Sequence, residues 1–347
     1  MKRTHPALQP TLKDIAKATG LTEATVSRIL SGKEQFAAET RKRVEQVADR
    51  LGYRPNRLVR GIQTGRTGMI GAILPIHVEW GARLLTGLQR ALAVKDYVPL
   101  VLDCPSPVLN ELDMIYHLID RRVEGIVLFP RDDAITDDYF AEVHARKIPL
   151  VVLNRKPTYA HCHFVGFDDR GSGRLAAEHL LGIGHRVLGH LAGPPTMSTG
   201  RERAEGFSQT AMACAGVSVA QAVMPTFLPD EDLIEQFLDA NPSITAIFCA
   251  NEAIALGLYN VAGRRGARIP EQLSVVSHGD GRAASLITPK LTSTVENCEM
   301  VGEEAAKMVV QLASQRSSPR KLIEKRVATG LVVRESTTPF LGENAKP

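Results

Sequence analysis

The sequence predicts two folding units: an N-terminal all-α helix-turn-helix domain and a larger α/β domain of two Rossmann-like subdomains. Three observations support this prediction. Short amphipathic helical patterns separated by glycines fill the first 55 residues. From Gly68 onward, buried-strand patterns alternate with helical ones. The alternation occurs as two successive series over roughly 270 residues, which is enough for two doubly wound sheets.

Caps and stops mark three N-terminal helices. Thr11 is a suitable N-cap for the first helix, and Gly20 ends it and allows a tight turn. Thr22 caps the second helix, which runs to about Ser31. The third helix ends before Gly52 and has apolar residues at i, i+3, i+4 and i+7: Val44, Val47, Ala48 and Leu51. Two short helices around a glycine turn, braced by a third, are typical of a helix-turn-helix.

Charge is distributed unevenly between the two units. Residues 1–66 carry fourteen Lys/Arg and six Asp/Glu, whereas the rest of the chain carries twenty-eight and thirty-two. A basic helical module on an acidic body indicates a polyanionic partner, and the helix-turn-helix makes double-stranded DNA the expected one. The second helix would then enter the major groove. The alternative is a three-helix bundle on the surface of an enzyme.

The α/β domain is predicted from runs of apolar residues long enough for buried strands. The first series is Met69–Leu74, Val98–Leu102, Gly125–Phe129 and Leu150–Leu153. The second series is Val187–Ala192, Thr245–Cys249 and Leu273–Ser277. Helical patterns between the strands favour parallel sheets, with a ligand cleft outside their carboxyl ends.

Several function classes are not expected. The chain has no signal-peptide pattern and no apolar run long enough to cross a membrane. Its five cysteines are scattered, which fits reduced thiols in the cytoplasm. No dinucleotide or phosphate-loop glycine motif and no nucleophile elbow occurs, so neither a cofactor nor enzymatic activity is expected. The run His161-Cys162-His163 lacks further ligands, so no metal is expected.

Two N-terminal segments closely resemble the DNA-binding headpiece of the LacI (lactose-repressor) family: Thr11–Ser31 and Gly52-Tyr-Arg-Pro-Asn56. Segments such as Ile148–Arg155, Arg203–Phe207 and Pro289–Val295 extend the resemblance through nearly all of the α/β region. The resemblance implies a periplasmic-binding-protein-like sensor with crossovers near residues 166, 296 and 329. We therefore expect a helix-turn-helix domain at 1–55, a hinge helix at 56–66 and an effector-binding and dimerisation domain at 67–340.

The resemblance implies which residues contact DNA. Residues matching Glu23 and Ala24 discriminate between operators in the family, and those matching Ser27 and Arg28 also contact DNA. An arginine can bind guanine with two hydrogen bonds. Glu23 can accept a hydrogen bond from cytosine, but a first-turn acid is equally favoured by the helix dipole. The full candidate set in the helical domain, including phosphate contacts, is Thr11, Thr22, Glu23, Ala24, Thr25, Ser27, Arg28, Asn56 and Arg57.

The hinge segment is short, basic and contains glycine, so it is a marginal helix on its own. In the family this stretch folds as a paired helix on DNA and inserts a leucine into the minor groove. Val59 is a candidate contact, and Ile62 occupies the position of the wedge, where it can still unstack a base step. Gly61 lowers helix propensity by about 1 kcal/mol relative to alanine. The alternative is a plain flexible linker.

Candidate effector residues lie near predicted strand ends, and the resemblance supplies several of them: Trp80, Asn154, Arg155, Arg203, Phe227, Asn251 and His278. The arginines have an alternative role in structural ion pairs, and Trp80 in the core. Family members that bind neutral sugars use aspartates at the positions of Asn154 and Gly279, which here are neutral. We therefore expect an anionic effector, such as a sugar acid or a sugar phosphate. A one-residue shift in register would return Asp280 to the site.

Together these features predict a cytoplasmic, sequence-specific transcriptional regulator, a repressor controlled by a small carbohydrate-like effector. A homodimer is expected because such proteins read two half-sites. The tail from Phe340 to Pro347 has no leucine heptad of the kind that makes tetramers. The alternatives are a small-molecule binding protein and an α/β enzyme with a helical appendage.

Overall fold

The computed structural model describes residues 10–31, 36–54, 66–105, 110–131, 137–157, 162–315 and 321–340. The chain divides into two compact units, Met1–Thr67 and Gly68–Pro347. The first holds three helices among its described residues: α1 (Leu12–Thr19), α2 (Glu23–Leu30) and α3 (Ala38–Leu51). Each lies where the sequence predicts a helix.

The core of the helical unit is formed by the apolar faces of its three helices. Ile15, Val26 and Val44 are fully buried, and Val47 and Ala48 pack with them. Gly20 adopts a φ of 71°, the left-handed conformation that lets the chain turn sharply between α1 and α2. The expectation that Leu51 shares the buried face is wrong: it is 39% exposed at the last turn of α3, and Tyr53 packs against the core instead.

The first subdomain of the α/β unit is built on a six-stranded sheet. Its strands are β1 (Met69–Leu74), β2 (Val98–Asp103), β3 (Ile126–Leu128), β4 (Leu150–Leu153), β5 (His163–Phe167) and, from the far end of the chain, β11 (Glu324–Val327). They lie in the order β11-β5-β4-β3-β1-β2, and all pairs are parallel. Its helices are α4 (Glu79–Ala93), α5 (Glu111–Asp120), α6 (Asp137–Ala145) and α12 (Cys298–Ser314).

The second subdomain repeats this design. Its strands are β6 (Val187–Ala192), β7 (Ser218–Val223), β8 (Ala246–Cys249), β9 (Ser274–His278), β10 (Thr292–Val295) and β12 (Gly330–Val332), in the order β12-β10-β9-β8-β6-β7. Only β12 runs antiparallel to its neighbour in this sheet. Its helices are α7 (Asp169–Gly182), α8 (Ser198–Met212), α9 (Glu231–Ala240), α10 (Glu252–Arg264) and α11 (Arg282–Leu286).

The chain passes between the two sheets three times. It leaves the first sheet after β5, returns after β10 to form α12, and leaves again between β11 and β12. These passages fall beside residues 166, 296 and 329, as the resemblance implied. Because the strands within each sheet are mainly parallel, their carboxyl ends gather along one edge, where an α/β fold places its ligand.

Candidate functional site

The candidate nucleic-acid interface is the exposed side of α2. Glu23, Ala24 and Arg28 are exposed, while Val26 and Ile29, on the opposite side of the same helix, are buried in the core. This division follows from helical periodicity, because residues three and four apart share a face. The first turns of α2 are therefore available to contact a major groove.

Threonines fix the start of each of the first two helices. Thr22 is the N-cap of α2, and its hydroxyl oxygen accepts a hydrogen bond from the Thr25 amide at 3.2 Å. At the start of α1, both the amide and the hydroxyl of Thr11 donate to Asp14, each at 2.8 Å. These bonds lower the pKa of the Asp14 carboxyl. Ser27 is half-buried on the second turn of α2.

Four further DNA candidates lie outside the described residues: Asn56, Arg57, Val59 and Ile62. Their predicted roles as phosphate contacts and minor-groove wedge stay predictions.

A cavity of about 600 Å³ lies at the carboxyl ends of both sheets. Its lining includes all seven effector candidates named from the sequence, which come from six separate segments of the chain: Trp80, Asn154, Arg155, Arg203, Phe227, Asn251 and His278. The first three come from the first subdomain and the others from the second. A volume of this size holds a small ligand, and a cleft at this edge is where such folds bind one.

Aromatic rings form part of the cavity wall. Trp80 packs edge-on against Phe129, with the ring centroids 5.2 Å apart. The Arg155 guanidinium lies over the Phe129 ring at 4.7 Å and within 6.0 Å of Phe227 on the other subdomain. It also donates hydrogen bonds to the carbonyl oxygens of Pro130 and Arg131. Cations and planar apolar faces stack favourably in this range, so the wall can accommodate a sugar ring beside a charged group.

Asn154 offers a hydrogen-bond acceptor with no partner among the described residues. It follows β4 in the left-handed conformation, with a φ of 60°, which asparagine tolerates better than most residues. The residue is buried, with 8% of its surface exposed, and its amide oxygen has no hydrogen-bond partner among the described residues. A buried acceptor without a partner costs free energy, so a ligand hydroxyl that donated to it would gain affinity.

A buried cluster of charges forms one side of the cavity. Arg203 donates from Nε to Asp169 at 2.7 Å and from Nη1 to the Ala250 carbonyl at 2.8 Å, and its Nη2 lies 3.7 Å from Glu296. Burial raises the pKa of Asp169, although Arg203 and His278 oppose the rise. Burial also works against ionisation of Glu296, but His278 and Arg203 outweigh it and lower its pKa. Arg203 is therefore both a structural ion-pair partner and a cavity residue.

His278 and Asn251 also have structural partners. The Nε2 of His278 contacts Glu296, and its Nδ1 lies 2.6 Å from the Ser172 hydroxyl. The Asn251 amide donates to the Phe227 carbonyl at 2.7 Å, and its side-chain oxygen caps α10. Each can contact a ligand only through the part of its surface that faces the cavity.

The sequence analysis missed both acidic and basic residues of the cavity. Glu252 and Glu296 follow strands β8 and β10, so their position at strand ends was the available signal. Arg83 and Arg131 also line the cavity, and Arg83 is one of the cations that lower the pKa of Glu296. The expectation that no aspartate follows β9 in the site is wrong, because Asp280 lines the cavity.

The Asp280 carboxylate forms an ion pair with Arg334. Arg334 contacts both of its oxygens, at 2.6 Å and 2.9 Å. Gly279, between the end of β9 and Asp280, adopts a φ of 86°, a conformation that glycine takes up more easily than other residues. The chain turns there, and Asp280 lines the cavity two residues after the strand ends.

Burial disfavours the thiolate form of the cavity thiols. Cys104 and Cys298 line the cavity, and burial raises the pKa of each to about 12. Over the described ranges, the structure holds no group of three or more histidine, cysteine or acidic side chains arranged to bind a metal ion. Nor does any helix in those ranges have the length and apolar character needed to span a membrane.

Two family models match the chain. Residues 11–56 match the model for bacterial regulatory proteins of the lacI family, and residues 177–337 match that for a periplasmic binding protein-like domain. Among curated relatives, the "HTH-type transcriptional repressor PurR" of Pasteurella multocida is 28% identical over 331 residues, covering 94% of this chain and 98% of that protein. The "HTH-type transcriptional regulator CelR" of Thermobifida fusca is also 28% identical, with the same coverage.

Solved structures share the whole architecture. A complex of the transcriptional regulator CelR with cellobiose is 27% identical, covers 94% of this chain and 99% of that chain, and superposes with a TM-score of 0.69. A lac repressor dimer bound to operator and an anti-inducer has a TM-score of 0.79 at 22% identity, covering 95% of this chain and 99% of that chain. At that identity the second likeness concerns the fold alone.

Proposed function

This chain is a member of the lacI family of bacterial regulatory proteins, and from that premise we propose that it represses transcription by binding operator DNA as a homodimer. The convergence of all seven effector candidates on one cavity supports control by a small molecule. The exposed side of α2, with Arg28 among its residues, supports reading of base edges in the major groove. Such a regulator acts in the compartment that holds the DNA.

The DNA-binding half of the proposal is tested by genome-wide mapping of bound sites, followed by fluorescence anisotropy on the recovered fragments. We expect a two-fold-symmetric site, tight binding by the wild-type protein and a binding constant that changes with an added small molecule. A protein that binds the small molecule but none of the DNA fragments would be a small-molecule binding protein and not a transcriptional regulator. Turnover of the small molecule would identify an enzyme.

We propose that the effector is a carbohydrate-like anion. Three guanidinium groups line the cavity on the first-subdomain side, those of Arg83, Arg131 and Arg155. An arginine fork matches a carboxylate or phosphate in shape and charge. Two cavity acids already have cationic partners: Asp280 has Arg334, and Glu296 has His278 and Arg203. Their repulsion toward an anion is reduced accordingly.

Calorimetry against a panel tests the effector class, with gluconate, glucuronate and glucose 6-phosphate as anions and glucose, ribose and cellobiose as neutral sugars. We expect an anion to bind more tightly, and Arg131→Gln to reduce that preference. Arg146→Gln is the matched control, because Arg146 is exposed and pairs with Glu142 away from the cavity lining. Tight binding of a neutral sugar with all the anions inert would refute the anionic class and leave DNA binding untouched.

A further inference from the structure

We propose that Arg326 and Glu202 form a latch that biases the two subdomains toward the closed cleft, independently of the effector's identity. Arg326 lies on β11, which is hydrogen-bonded to β5 in the first sheet. Glu202 lies on α8, which packs on α7, β6 and β7 in the second subdomain. Their contact is bidentate, with Nη1 to Oε2 at 2.5 Å and Nη2 to Oε1 at 3.1 Å. The pair therefore spans the two subdomains.

Arg326 is held in position from the first-subdomain side. Its guanidinium lies 5.2 Å from the centre of the Phe164 ring, and Nη1 also donates to the Phe167 carbonyl at 3.4 Å. Its Nε donates to Glu324 on the same strand at 3.0 Å. Because the guanidinium is oriented before it meets Glu202, less side-chain entropy is lost when the two subdomains come together.

The environment makes the ion pair stronger than a typical surface one. The side chains of Arg326 and Glu202 are 28% and 17% exposed, so water screens them less than it screens fully exposed pairs. Charge-assisted bidentate contacts are also stronger than single neutral hydrogen bonds. The latch can thus contribute to an equilibrium between closed and open clefts.

A second contact fixes the same helix. The backbone amide of Lys156, directly after the cavity residues Asn154 and Arg155, donates to the hydroxyl of Ser198 at 2.8 Å. Ser198 is the first residue of α8 and is buried. Together the latch and this hydrogen bond tie the first two turns of α8 to the opposite subdomain.

Helix α8 connects the latch to the ligand cavity. Thr199 and Arg203 of this helix line the cavity, and Glu202 lies between them in sequence. A rigid helix that carries both groups moves them together. Any ligand that draws α8 toward the first subdomain therefore also favours the latch, and an intact latch reduces the conformational cost of binding.

Trp80 provides a direct measurement of cleft closure. It is the only tryptophan in the chain, and it lines the cavity against Phe129. Acrylamide quenching of its fluorescence, in full-length protein purified without added sugars, reports how accessible the cleft is. We expect Glu202→Gln and Arg326→Gln each to raise the quenching constant about two-fold or more and to increase the radius of gyration in small-angle scattering.

The matched control lies one turn along the same helix. Glu205 pairs with Arg170 of α7, so that ion pair is confined to the second subdomain. Glu205→Gln removes the same charge from α8 and is expected to leave Trp80 quenching unchanged. The double variant with both Glu202→Gln and Arg326→Gln should match either single variant, because all three lose the same contact between the subdomains and the other contacts of Arg326 lie within the first subdomain.

Equal quenching in wild-type protein, Glu202→Gln and Arg326→Gln would overturn the latch, as would an equal rise in Glu205→Gln. Additive effects in the double variant would also overturn it, because they would mean that the two side chains act separately. Circular dichroism melts at matched pH establish that each variant is folded. Since no effector enters the experiment, its outcome is independent of the proposed effector class and of DNA binding.

Discussion

Replacing His190 should make the second subdomain less sensitive to acid. His190 lies in the middle of β6 with no exposed surface. Neither ring nitrogen forms a hydrogen bond of good geometry, and the side chain of Gln221, opposite it on β7, only partly offsets the effect of burial on its pKa. Its ring packs against those of Phe207 and Phe248, at centroid separations of 5.2 Å each, and the two phenylalanine rings lie 5.1 Å from each other. Burial disfavours the charged imidazolium and lowers the pKa of His190 to about 3. The native protein therefore holds this side chain neutral well below the ordinary range.

The size of the effect follows from proton linkage. Below pH 6.5 the unfolded chain binds a proton at His190 that the native chain excludes until about pH 3, so stability falls as pH drops through that interval. At pH 5 the loss relative to neutral pH is about 2 kcal/mol. His190→Leu should abolish this part of the pH dependence. It should also remove the cost of burying two poorly hydrogen-bonded nitrogens, about 1–3 kcal/mol, while losing about 0.5–1.5 kcal/mol of aromatic contact.

Urea unfolding of wild-type protein, His190→Leu and His190→Gln at pH 7.5 and pH 5 measures these terms separately. The glutamine variant keeps buried polar atoms but does not titrate, so it should share the flatter pH profile without the gain at neutral pH. His179 and His185, whose pKa values are also lowered by burial, remain in all three proteins. An identical loss between the two pH values in all three proteins would refute the assignment of His190 as a buried neutral group.

Three further predictions concern DNA reading, assembly and helix packing. Arg28→Ala should weaken binding to the specific operator by about 1–3 kcal/mol with a much smaller effect on random duplex in anisotropy titrations, and equal losses would exclude base reading. Sedimentation equilibrium at micromolar concentration should give a dimer, because paired helix-turn-helix modules read two half-sites, and a monomer would contradict this expectation. Gly302→Ala should destabilise the first subdomain in urea by about 1–3 kcal/mol, because its Cβ would lie 2.0 Å from the Leu84 carbonyl oxygen. Gly263→Ala, on α10 with open space around it, should instead gain about 0.5–1 kcal/mol.

Several interior strands were predictable because both of their faces are buried, but the buried interior strands β5 and β10 were missed, since histidine, glycine, serine and threonine interrupt their apolar pattern. The predicted bounds of β1, β4 and β6 match the structure: β1 and β4 are continuous apolar runs, and β6 is apolar except for His190. The edge strand Ser218–Val223 was missed because it alternates exposed and half-buried residues. The strands formed by Glu324–Val327 and Gly330–Val332 were missed for the same reason, since short, largely exposed edges lack an apolar signal.

The location of the effector candidates was predictable, but their partners were not. Parallel strands bring their carboxyl ends to one edge of each sheet, which places the residue after β4 at that edge of the first sheet and those at the ends of β8 and β9 at that edge of the second. Folds of this kind bind ligands at these edges, so the candidates were expected to line one cleft. The pairing of Arg203 with Asp169 and Glu296 joins three segments far apart in sequence, and no periodic pattern encodes such contacts. Arg83 was missed because it lies on the second turn of α4, where a basic residue reads as an ordinary solvent-facing side chain.

The charge that a ligand meets depends on pairing more than on composition. The sequence argument for an anion counted two missing aspartates, yet Glu252, Asp280 and Glu296 all line the cavity. A carboxylate that is paired with a guanidinium or accepts a backbone amide repels an anionic ligand less than its formal charge suggests. Glu252 accepts the amide of Ala284, and burial raises its pKa, which lowers its tendency to carry charge. The expectation of an anionic effector therefore depends on the guanidinium groups of Arg83, Arg131 and Arg155 that line the cavity, and the variant Arg131→Gln tests it most directly.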